Sequence, residues 1–484
     1  MLKNLKHRTA NAFAWSLFQS WSVKALSLLL FLFLARVLPP DQMGLAQSVT
    51  VLLAFIAVVA EQGFHSAIVQ KQDIRDVDVN LPFFISLFVA LLASAAMLFF
   101  AAPLADLSKT PNAADLIRTA AVIPPITAVN GILVAMFRRE LDFKSIARAS
   151  FGSSLISGLV ALFLVLQGWG AMALVIQAAI SGLVTSALIW TRPVWTPTWR
   201  IETVHFKSLL GFSTVTFISQ LIDFFSGRLI DMIILSRFGL DALGIYAVGS
   251  KLYLTILDLL ASALTVVAMS AMAKLAADGD SLKRTYLRLL FLASSSTLPF
   301  FVACAALAPE LCTLLFGNKW HDAASVAQWL CLLGAMQVVQ LFNHSALDAT
   351  GNPRGVLVIN VSKLTIGMVV LLAYPVDSVA QLTLAFVVAQ LMVSPLSFGL
   401  AMQVTRSHLH EVLQQIFPGL LAASLAFFAV TQARSVAGIK GLAVWQGTGA
   451  LGVIFVSVFL VVLWLQSSRK LRSEWQYVRD SYKN

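Results

Sequence analysis

Residues 81–103 read LPFFISLFVALLASAAMLFFAAP, an apolar stretch without a single charged side chain. A membrane-spanning helix needs about 20 such residues, because the hydrocarbon core of a bilayer is about 30 Å thick. Comparable stretches recur along all 484 residues of the chain, which is 58% hydrophobic and only 12% charged. Soluble domains carry roughly a quarter charged residues. The sequence therefore predicts an all-α integral membrane protein and excludes a water-soluble globular one.

Apolar windows bounded by glycine, proline or charged residues predict about 14 transmembrane helices. Their approximate ranges are 12–38, 42–62, 81–103, 113–137, 146–166, 170–190, 209–236, 242–272, 287–308, 323–343, 355–374, 379–403, 411–431 and 442–465. The longest internal connections are 63–80 and 191–208. Both are too short for a soluble catalytic domain, which needs at least about 50 residues.

The net charge of +11 is distributed unevenly between the connections on the two sides of the predicted bundle. Most lysines and arginines fall on the side of the N-terminus. The opposite side carries only Lys109, Arg237, Lys319, Arg434 and Lys440. Because cytoplasmic loops of membrane proteins are enriched in Lys and Arg, we expect both termini to be cytoplasmic. The basic excess thus indicates topology, and a nucleic-acid partner is not expected.

An internal repeat divides the chain into two similar halves. Residues 34–45 read LARVLPPDQMGL and residues 235–245 read LSRFGLDALGI. With one gap, the matched pairs are Arg36 with Arg237, Asp41 with Asp241, and Gly44 with Gly244. Any tight hairpin uses proline, glycine and aspartate, but this repeat recurs six helices later, in phase with equal halves.

The repeat predicts two six-helix lobes followed by two further helices. We place an N-lobe at 1–190, an interfacial cytoplasmic linker rich in tryptophan and arginine at 191–208, and a C-lobe at 209–403. Helices 13 and 14, with a basic cytoplasmic tail, occupy 404–484. Transporters built from paired repeats carry their substrate site near the bilayer midplane, at the repeat interface.

Several basic residues lie deep inside predicted helices, where each charge costs about 2.5–3.5 kcal/mol and usually faces a bundle interior or a wet cavity. Arg36 and Arg118 lie closer to helix ends and can extend their charges to the interface. The deeper bases and neighbouring hydroxyls form a predicted cationic substrate cavity of Lys24, Arg228, Lys251, Lys363, Ser20, Ser27 and Thr255. The alternative is buried pairing within the bundle, for which Arg228 and Asp231 have the i,i+3 spacing.

Deep carboxylates are fewer than deep bases. Asp223 and Asp258 are the candidates for ion or proton coupling, because helices 1–6 carry no carboxylate in their middle thirds. Pro124 and Pro125 remove two backbone donors inside the fourth helix, which predicts a bend or break there. Zinc, nucleotide-binding and serine-hydrolase motifs are absent from the sequence, so we predict no catalytic residue, no cofactor and no metal ligand.

An ordered set of short passages over roughly residues 10–400 resembles a known family. The passages are EQGF at 61–64 with AIVQ at 67–70, RRELDFKSIA at 138–147, GWGAMALV at 168–175, LKRTY at 282–286, APE at 308–310 with LFGNKW at 315–320, and ATGNP at 349–353. The set is similar to Wzx-like flippases for lipid-linked oligosaccharides, in the multidrug/oligosaccharidyl-lipid/polysaccharide exporter superfamily. Unlike many members, the chain has no proline at 267–270 near the end of its eighth helix.

The resemblance implies a V-shaped pair of lobes that work by alternating access. It also implies undecaprenyl-pyrophosphate-linked oligosaccharide repeat units as the substrate, carried across the bacterial inner membrane for exopolysaccharide, capsule or O-antigen synthesis. Partners would be this lipid-linked glycan, membrane lipids and other polysaccharide-assembly membrane proteins. A pyrophosphate that leaves water needs positive charge, which the deep bases could supply.

Three alternatives remain open at this point. A lipid II flippase or a multidrug exporter shares the superfamily architecture, although an exporter of organic cations should present acids rather than bases in its cavity. A membrane oligosaccharide polymerase or ligase needs large outward loops, and the predicted outward connections are short. A scaffold subunit of an envelope complex is the third alternative. We expect a transporter and not an enzyme.

Overall fold

A computed structural model describes residues 2–71, 74–107, 113–200, 206–276, 278–436 and 443–481, and in these ranges the regular structure is helical. The α-helices are α1 (Leu2–Val37), α2 (Pro40–Glu61), α3 (Phe64–Gln70), α4 (Asn80–Phe99), α5 (Ala101–Leu107), α6 (Ala113–Ala120), α7 (Ile123–Arg139), α8 (Phe143–Leu166), α9 (Ala171–Ile189), α10 (Phe206–Leu275), α11 (Gly279–Ser296), α12 (Leu298–Ala306), α13 (Ala308–Phe316), α14 (Ala323–Ala349), α15 (Pro353–Ala373), α16 (Val379–Met392), α17 (Ser394–Thr405), α18 (Leu409–Ala433) and α19 (Val444–Ser481). Two short 3₁₀ helices, Asp76–Val79 and Asn318–Trp320, complete the set.

Twelve helical segments of the described residues are long and apolar enough to cross a membrane. One of them, Leu209–Ala261, contains parts of two predicted helices, and α1 contains the first predicted helix. The prediction of an all-α membrane protein is therefore confirmed. The count of 14 spans stays a prediction.

Helix α10 is interrupted at Gly239, between the seventh and eighth predicted helices. The backbone of Gly239 has φ 80° and ψ −165°, a conformation that is accessible to glycine because it lacks a Cβ. The connection predicted at 237–241 is thus reduced to one non-helical residue. The chain forms two compact units, Met1–Ala247 and Val248–Asn484, and their boundary lies within α10 shortly after this break. The predicted lobe boundaries stay predictions.

In the first unit, the small helix α3 packs against α7 over a core around Phe64, Ile68 and Ile132, each at most 1% exposed. On α8, by contrast, Leu159 and Phe163 are more than half exposed. A soluble protein would not present large apolar side chains over a whole helix face. This distribution is the one expected when lipid surrounds the bundle.

In the second unit, α14 is the central helix, and most of its length is buried by α12, α16 and α17. Two glycines allow close helix crossings. A Cβ on Gly334 would lie 2.5 Å from the ring of Phe301, and one on Gly419 would lie 2.1 Å from the carbonyl oxygen of Ser294. Small residues at such crossings let backbones approach, which is how helices pack inside a membrane.

The segment after α9 is fastened to the start of α4 by Asn80 and Trp195. The Asn80 side chain donates to Thr198 Oγ1 at 2.8 Å and to the Arg200 carbonyl at 2.8 Å, and it accepts from the Thr198 amide at 3.1 Å. The buried Trp195 donates through Nε1 to the Asp76 carbonyl at 3.0 Å. Trp199, which belongs to the predicted interfacial linker, is 87% exposed. The placement of this linker along the headgroups stays a prediction, and its residues 201–205 lie outside the described ranges.

Replacing Asn80 by alanine removes three hydrogen bonds that hold this segment. Asn80 is only 1% exposed, but its partners Thr198 and Arg200 are exposed and can bind water instead, so we expect a loss of about 0.5–1.5 kcal/mol of stability. The measurement is thermal unfolding of the detergent-purified protein, together with tryptic cleavage at the exposed Arg200. Asn318→Ala, at an exposed position, is the control. Equal melting and equal cleavage of both variants would contradict the fastening role.

Candidate functional site

The four deep bases of the predicted cationic cavity lie on helices and are all half-buried. Lys24 on α1 and Arg228 on the first part of α10 belong to the first unit. Lys251 on the second part of α10 and Lys363 on α15 belong to the second unit. Each unit therefore contributes two bases. That the four share one cavity stays a proposal.

The hydroxyl residues predicted to accompany these bases differ in their exposure. Thr255 follows Lys251 by one helical turn and is 9% exposed. Because residues four apart share a helix face, the two form a local polar patch on α10. Ser27 on α1 is exposed. The side chain of Ser20 lies outside the described residues.

Arg228 has a carboxylate neighbour on its own helix. Its Nη1 lies 3.9 Å from Oδ2 of Asp231, which is 3% exposed, whereas the Arg228 side chain is 32% exposed. The other oxygen of Asp231 accepts a hydrogen bond of 2.8 Å from Gln47 on α2. The i,i+3 pairing that the sequence allowed is present. Arg228 therefore has a structural partner that any role in substrate binding must accommodate.

The two carboxylates proposed for ion coupling are both exposed on α10. Asp223 lies two turns before Asp231. Asp258 follows Lys251 by two turns and lies near enough for the two charges to attract each other. A coupling role for either stays a proposal.

The predicted interruption of the fourth helix lies just before its two prolines. Helix α6 ends at Ala120, and α7 begins at Ile123 with Pro124 and Pro125 in its first turn. Proline is tolerated there because the amides of a first turn have no helical acceptor. Further along α7, Asn130 donates to the Gly182 carbonyl at 3.0 Å and accepts from Ser186 at 2.7 Å. These bonds join the broken helix to α9.

Beside this break, the structure contains a crevice that the sequence analysis did not predict. It contains about 420 Å³ of space not occupied by protein atoms and is formed by residues of α2, α3, α4 and α7. Its walls are Leu53, Ala57, Ala60, Ile123, Pro124 and Ala128, and its polar groups are Glu61, His65, Ser86 and Thr127. Part of this space is open to the surroundings, and the crevice is large enough to hold water.

Glu61 is the carboxylate of this crevice, although its position at a helix end had excluded it from the predicted coupling residues. Its Oε1 lies 3.0 Å from Nδ1 of His65, and it accepts a hydrogen bond of 3.4 Å from Gln220 on α10. The side chains of Glu61 and His65 are 27% and 21% exposed. A carboxylate and an imidazole are thus held together beside a partly enclosed space.

The chain reversal between α2 and α3 brings these two side chains together. Gln62 and Gly63 both have left-handed backbone angles, with φ 47° and φ 74°. A Cβ on Gly63 would lie 2.5 Å from the Ser213 carbonyl oxygen, so only glycine fits both the angle and the space. This passage is one of those that carry the family resemblance. The spacing of Glu61 and His65 was the sequence signal, whereas Gln220 lies too far along the chain to be recognised.

The second unit contains a buried polar ladder along α14. Asn343 is 0% exposed, accepts from the Tyr286 hydroxyl at 2.8 Å and donates to Ser397 Oγ at 3.0 Å. One turn earlier, Gln340 donates to Ser394 at 2.7 Å. These bonds join α14 to α11 and α17, and the polar side chains of the ladder are paired with one another. Among the described residues, no group of three or more His, Cys, Asp or Glu is placed to hold a metal ion.

Comparison with known proteins identifies the family. A family model described as "Polysaccharide biosynthesis protein" matches residues 33–325, more than half of the chain. The chain is 24% identical over 330 residues to the succinoglycan biosynthesis transport protein ExoT of Rhizobium meliloti, covering 68% of this chain and 66% of that protein, slightly under two thirds of its length. It is 20% identical over 357 residues to the lipopolysaccharide biosynthesis protein WzxC of Escherichia coli, covering 73% and 70%.

The fold is similar to that of a solved membrane protein. The structure of the lipid II flippase MurJ in an inward closed conformation superimposes with a TM-score of 0.71 and covers 96% of this chain and 99% of that chain, at 13% identity. At this identity the similarity concerns the fold alone. The family model covers more than half of the chain, and the helical membrane fold agrees with it. The chain therefore belongs to the polysaccharide biosynthesis protein family.

Proposed function

We propose that the protein is a flippase that moves a polyprenyl-pyrophosphate-linked oligosaccharide across the bacterial inner membrane by alternating access. The family match over residues 33–325 carries this proposal. The relatives ExoT and WzxC are named for transport or biosynthesis of polysaccharides, and the MurJ-like fold supports a transporter. Undecaprenyl is the expected carrier lipid, and exopolysaccharide, capsule or O-antigen repeat units are the expected cargo.

The half-buried bases support a substrate with a negatively charged headgroup. A pyrophosphate that leaves water needs cationic partners, because an unpaired charge in a low-dielectric interior is strongly disfavoured. Lys24, Lys251 and Lys363 provide ammonium groups on three helices, and Arg228 adds a guanidinium. Ser20, Ser27 and Thr255 can donate to phosphate or sugar oxygens. We propose that these residues contact the headgroup at different stages of transfer.

Arg228 contributes to this site in a different way from the lysines. Asp231 already offsets part of its charge, so its net attraction for an anion is reduced. A pyrophosphate would compete with Asp231 for the guanidinium.

The charge distribution of the loops supports an orientation with both termini cytoplasmic. The family resemblance implies that the headgroup moves from the cytoplasmic to the outer leaflet. Accessibility of single cysteines introduced at the two ends, measured in intact cells with an impermeant thiol reagent, tests this orientation. Labelling without cell lysis would contradict it.

Reconstitution tests the proposed function directly. Purified protein in liposomes is supplied with a fluorescent polyprenyl-pyrophosphate oligosaccharide. Dithionite reduces the fluorophore only on molecules in the outer leaflet, so the loss of fluorescence reports leaflet crossing. Wild type is expected to accelerate crossing above protein-free liposomes. Each of Lys24→Ala, Lys251→Ala and Lys363→Ala is expected to lower the rate about 10-fold or more, since a hydrogen bond to a charged group contributes about 1.5–3 kcal/mol.

Lys274→Ala, at an exposed position on α10, is the matched control and should retain the wild-type rate. Unchanged crossing in all three test variants would refute the cationic site. Hydrolysis or elongation of the glycan would indicate a membrane enzyme instead. Efflux of organic cations without glycolipid transfer would indicate a drug exporter.

A further inference from the structure

A second concave region of the first unit lies between the 3₁₀ helix before α4 and the segment that follows α9. This depression contains about 760 Å³ of space not occupied by protein atoms, part of which is open to the surroundings. Its apolar lining residues are Val77, Pro193, Val194 and Trp195, and its polar lining residues are Asp76, Thr196, Thr198 and Arg200. None of these residues belongs to the proposed cationic site or to the crevice beside Pro124.

The backbone around this depression is held in place by buried hydrogen bonds. Trp195 is 4% exposed and donates through Nε1 to the Asp76 carbonyl at 3.0 Å. Asn80 is 1% exposed and donates to the Arg200 carbonyl at 2.8 Å. The positions that carry the Asp76 and Arg200 side chains are therefore fixed before any ligand binds, which lowers the entropic cost of binding.

The depression presents one acidic and one basic side chain. Asp76 and Arg200 are both exposed, and within the described part of the chain neither side chain has an ion-pair or hydrogen-bond partner. The neighbouring Arg75, in contrast, lies 3.2 Å from the buried carboxylate of Asp78. A carboxylate and a guanidinium thus remain available to a ligand that carries charges of both signs.

An exposed indole beside the depression indicates its depth in the membrane. Trp199 lies between two of the lining residues, Thr198 and Arg200, and is 87% exposed. Its ring stacks on Phe84 of α4, with the centroids 4.9 Å apart and the planes at 14°. Tryptophan is enriched where the hydrocarbon core meets the headgroups. The depression next to it is then at the level of the lipid headgroups.

An exposed apolar stripe on α4 continues from this stacked pair. Beyond Phe84 it consists of Phe88, Leu91 and Leu92, which are 61%, 51% and 54% exposed. Residues spaced by four, seven and eight positions share one face of a helix, so an acyl chain can lie along them. A molecule with a charged headgroup and apolar chains would contact both the depression and the stripe, whereas a soluble anion would contact only the depression.

We propose that the depression and the stripe bind a phospholipid whose headgroup carries a primary ammonium and a phosphate, as in phosphatidylethanolamine. The ammonium donates to the Asp76 carboxylate, and the phosphate accepts from the Arg200 guanidinium. The acyl chains lie along Phe84, Phe88 and Leu91. This lipid site does not depend on the proposed flippase function, because it uses other residues and no glycolipid.

The chemistry of the two side chains predicts which lipids the site rejects. The quaternary ammonium of phosphatidylcholine has no N–H and cannot donate to Asp76. Phosphatidylglycerol has a phosphate but no ammonium, so its negative charge lies near Asp76 without compensation. We therefore expect both lipids to bind more weakly than phosphatidylethanolamine.

Photocrosslinking of the full-length protein in detergent micelles tests this site without the glycolipid. The probe is phosphatidylethanolamine with a diazirine in one acyl chain, and peptide mass spectrometry locates the crosslinks. Unlabelled phosphatidylethanolamine, phosphatidylcholine, phosphatidylglycerol and free O-phosphoethanolamine compete with the probe. The variants are Asp76→Asn and Arg200→Gln. Arg192→Gln is the matched control, because Arg192 is an exposed arginine of the same segment that does not line the depression.

In wild type we expect crosslinks on the α4 stripe and competition by phosphatidylethanolamine about 5-fold more effective than by the other two lipids. This factor is the upper end of what an exposed ion pair contributes. Asp76→Asn should abolish the preference over phosphatidylcholine but keep the crosslink. Arg200→Gln should lower crosslinking about 5-fold, and Arg192→Gln should behave as wild type. Free O-phosphoethanolamine, which lacks acyl chains, should not compete.

Equal competition by the three lipids in wild type would overturn the inference, as would a preference that survives Asp76→Asn. Equal weakening by Arg192→Gln and Arg200→Gln would indicate diffuse attraction to the membrane surface and overturn it as well. Competition by free O-phosphoethanolamine at the lipid concentration would assign the depression to a soluble ligand. If a variant does not fold, as judged by thermal unfolding, the lipid preference of wild type decides. Failure of glycolipid transport would leave these results unchanged.

Discussion

Replacing Gly44 by alanine is expected to destabilise the first unit severely and to abolish transport. A Cβ at this position would lie 1.9 Å from the carbonyl oxygen of Leu240, and Cβ contacts below 3.0 Å essentially never occur in real structures. The obstacle is backbone, which cannot rotate away as a side chain can. The crossing helices α2 and α10 would have to separate by about 1 Å. We expect this separation to cost more free energy than the 1–3 kcal/mol that overpacking usually costs.

An equivalent clash would arise at Gly244, the residue that the internal repeat aligns with Gly44. A Cβ on Gly244 would lie 2.0 Å from the carbonyl oxygen of Pro40 and 3.0 Å from the amide nitrogen of Gly44. The two glycines that the internal repeat aligned therefore face each other across one helix crossing. We expect Gly244→Ala to have nearly the effect of Gly44→Ala. The double variant should lose less than the sum, because one separation of the helices relieves both clashes.

Thermal unfolding in detergent and the leaflet-crossing rate in liposomes measure this prediction. Gly227→Ala on α10 is the control, because a Cβ there meets no atom within 4 Å. Alanine in place of a helical glycine should leave Tm unchanged or raise it slightly, because alanine favours the helix over glycine by roughly 1 kcal/mol. A Gly44→Ala protein that melts and transports as wild type would show that the crossing is not as tight as described.

Asp231→Ala is expected to produce the second large effect, a loss of several kcal/mol in the stability of the first unit. Its carboxylate is buried, accepts from Gln47 at 2.8 Å and lies 3.9 Å from Arg228. Removing one member of a buried charged pair costs about 3–5 kcal/mol, because the remaining charge is left uncompensated. Partial exposure of Arg228 places the expected loss at the lower end of that range.

Asp231→Asn separates the two contributions of this carboxylate. The amide oxygen can still accept from Gln47, whereas the charge beside Arg228 is gone, so we expect a smaller loss of stability than in Asp231→Ala. Chemical denaturation of the purified protein measures the order of the variants. Equal stability of Asp231→Ala and wild type would contradict a structural pairing and return Arg228 to the headgroup site without a competing partner.

Much of the architecture could be read from the order of apolar and polar residues. Lipid requires each crossing segment to satisfy its own backbone hydrogen bonds, so a long apolar run such as 81–103 has one structural solution. The prolines at 124 and 125 marked the place where α6 and α7 are separated, because proline cannot donate to the preceding turn. The family followed from short passages in a conserved order along the chain.

The polar crevice beside Pro124 was not predictable in the same way. Glu61 lies at the end of α2, and a carboxylate at a helix end normally reaches the interface, so its sequence position gave no reason to single it out. The residues around Glu61 and His65 include Gly131, Ser86 and Gln220, which lie on three other helices. Likewise, the spacing of Arg228 and Asp231 allowed a pair, but the contribution of Gln47 from α2 depends on packing.

By itself, the sequence determined that this is an all-α membrane protein with an internal repeat, because hydrophobic length and helical periodicity are local properties of the chain. Tertiary structure alone decided that Gly44 meets Gly244, that Glu61 and His65 share a crevice, and that Asp231 is buried against Gln47. These contacts join residues from 4 to 200 positions apart. Such contacts depend on how the helices cross, and the crossing geometry is set by the close packing of many side chains at once.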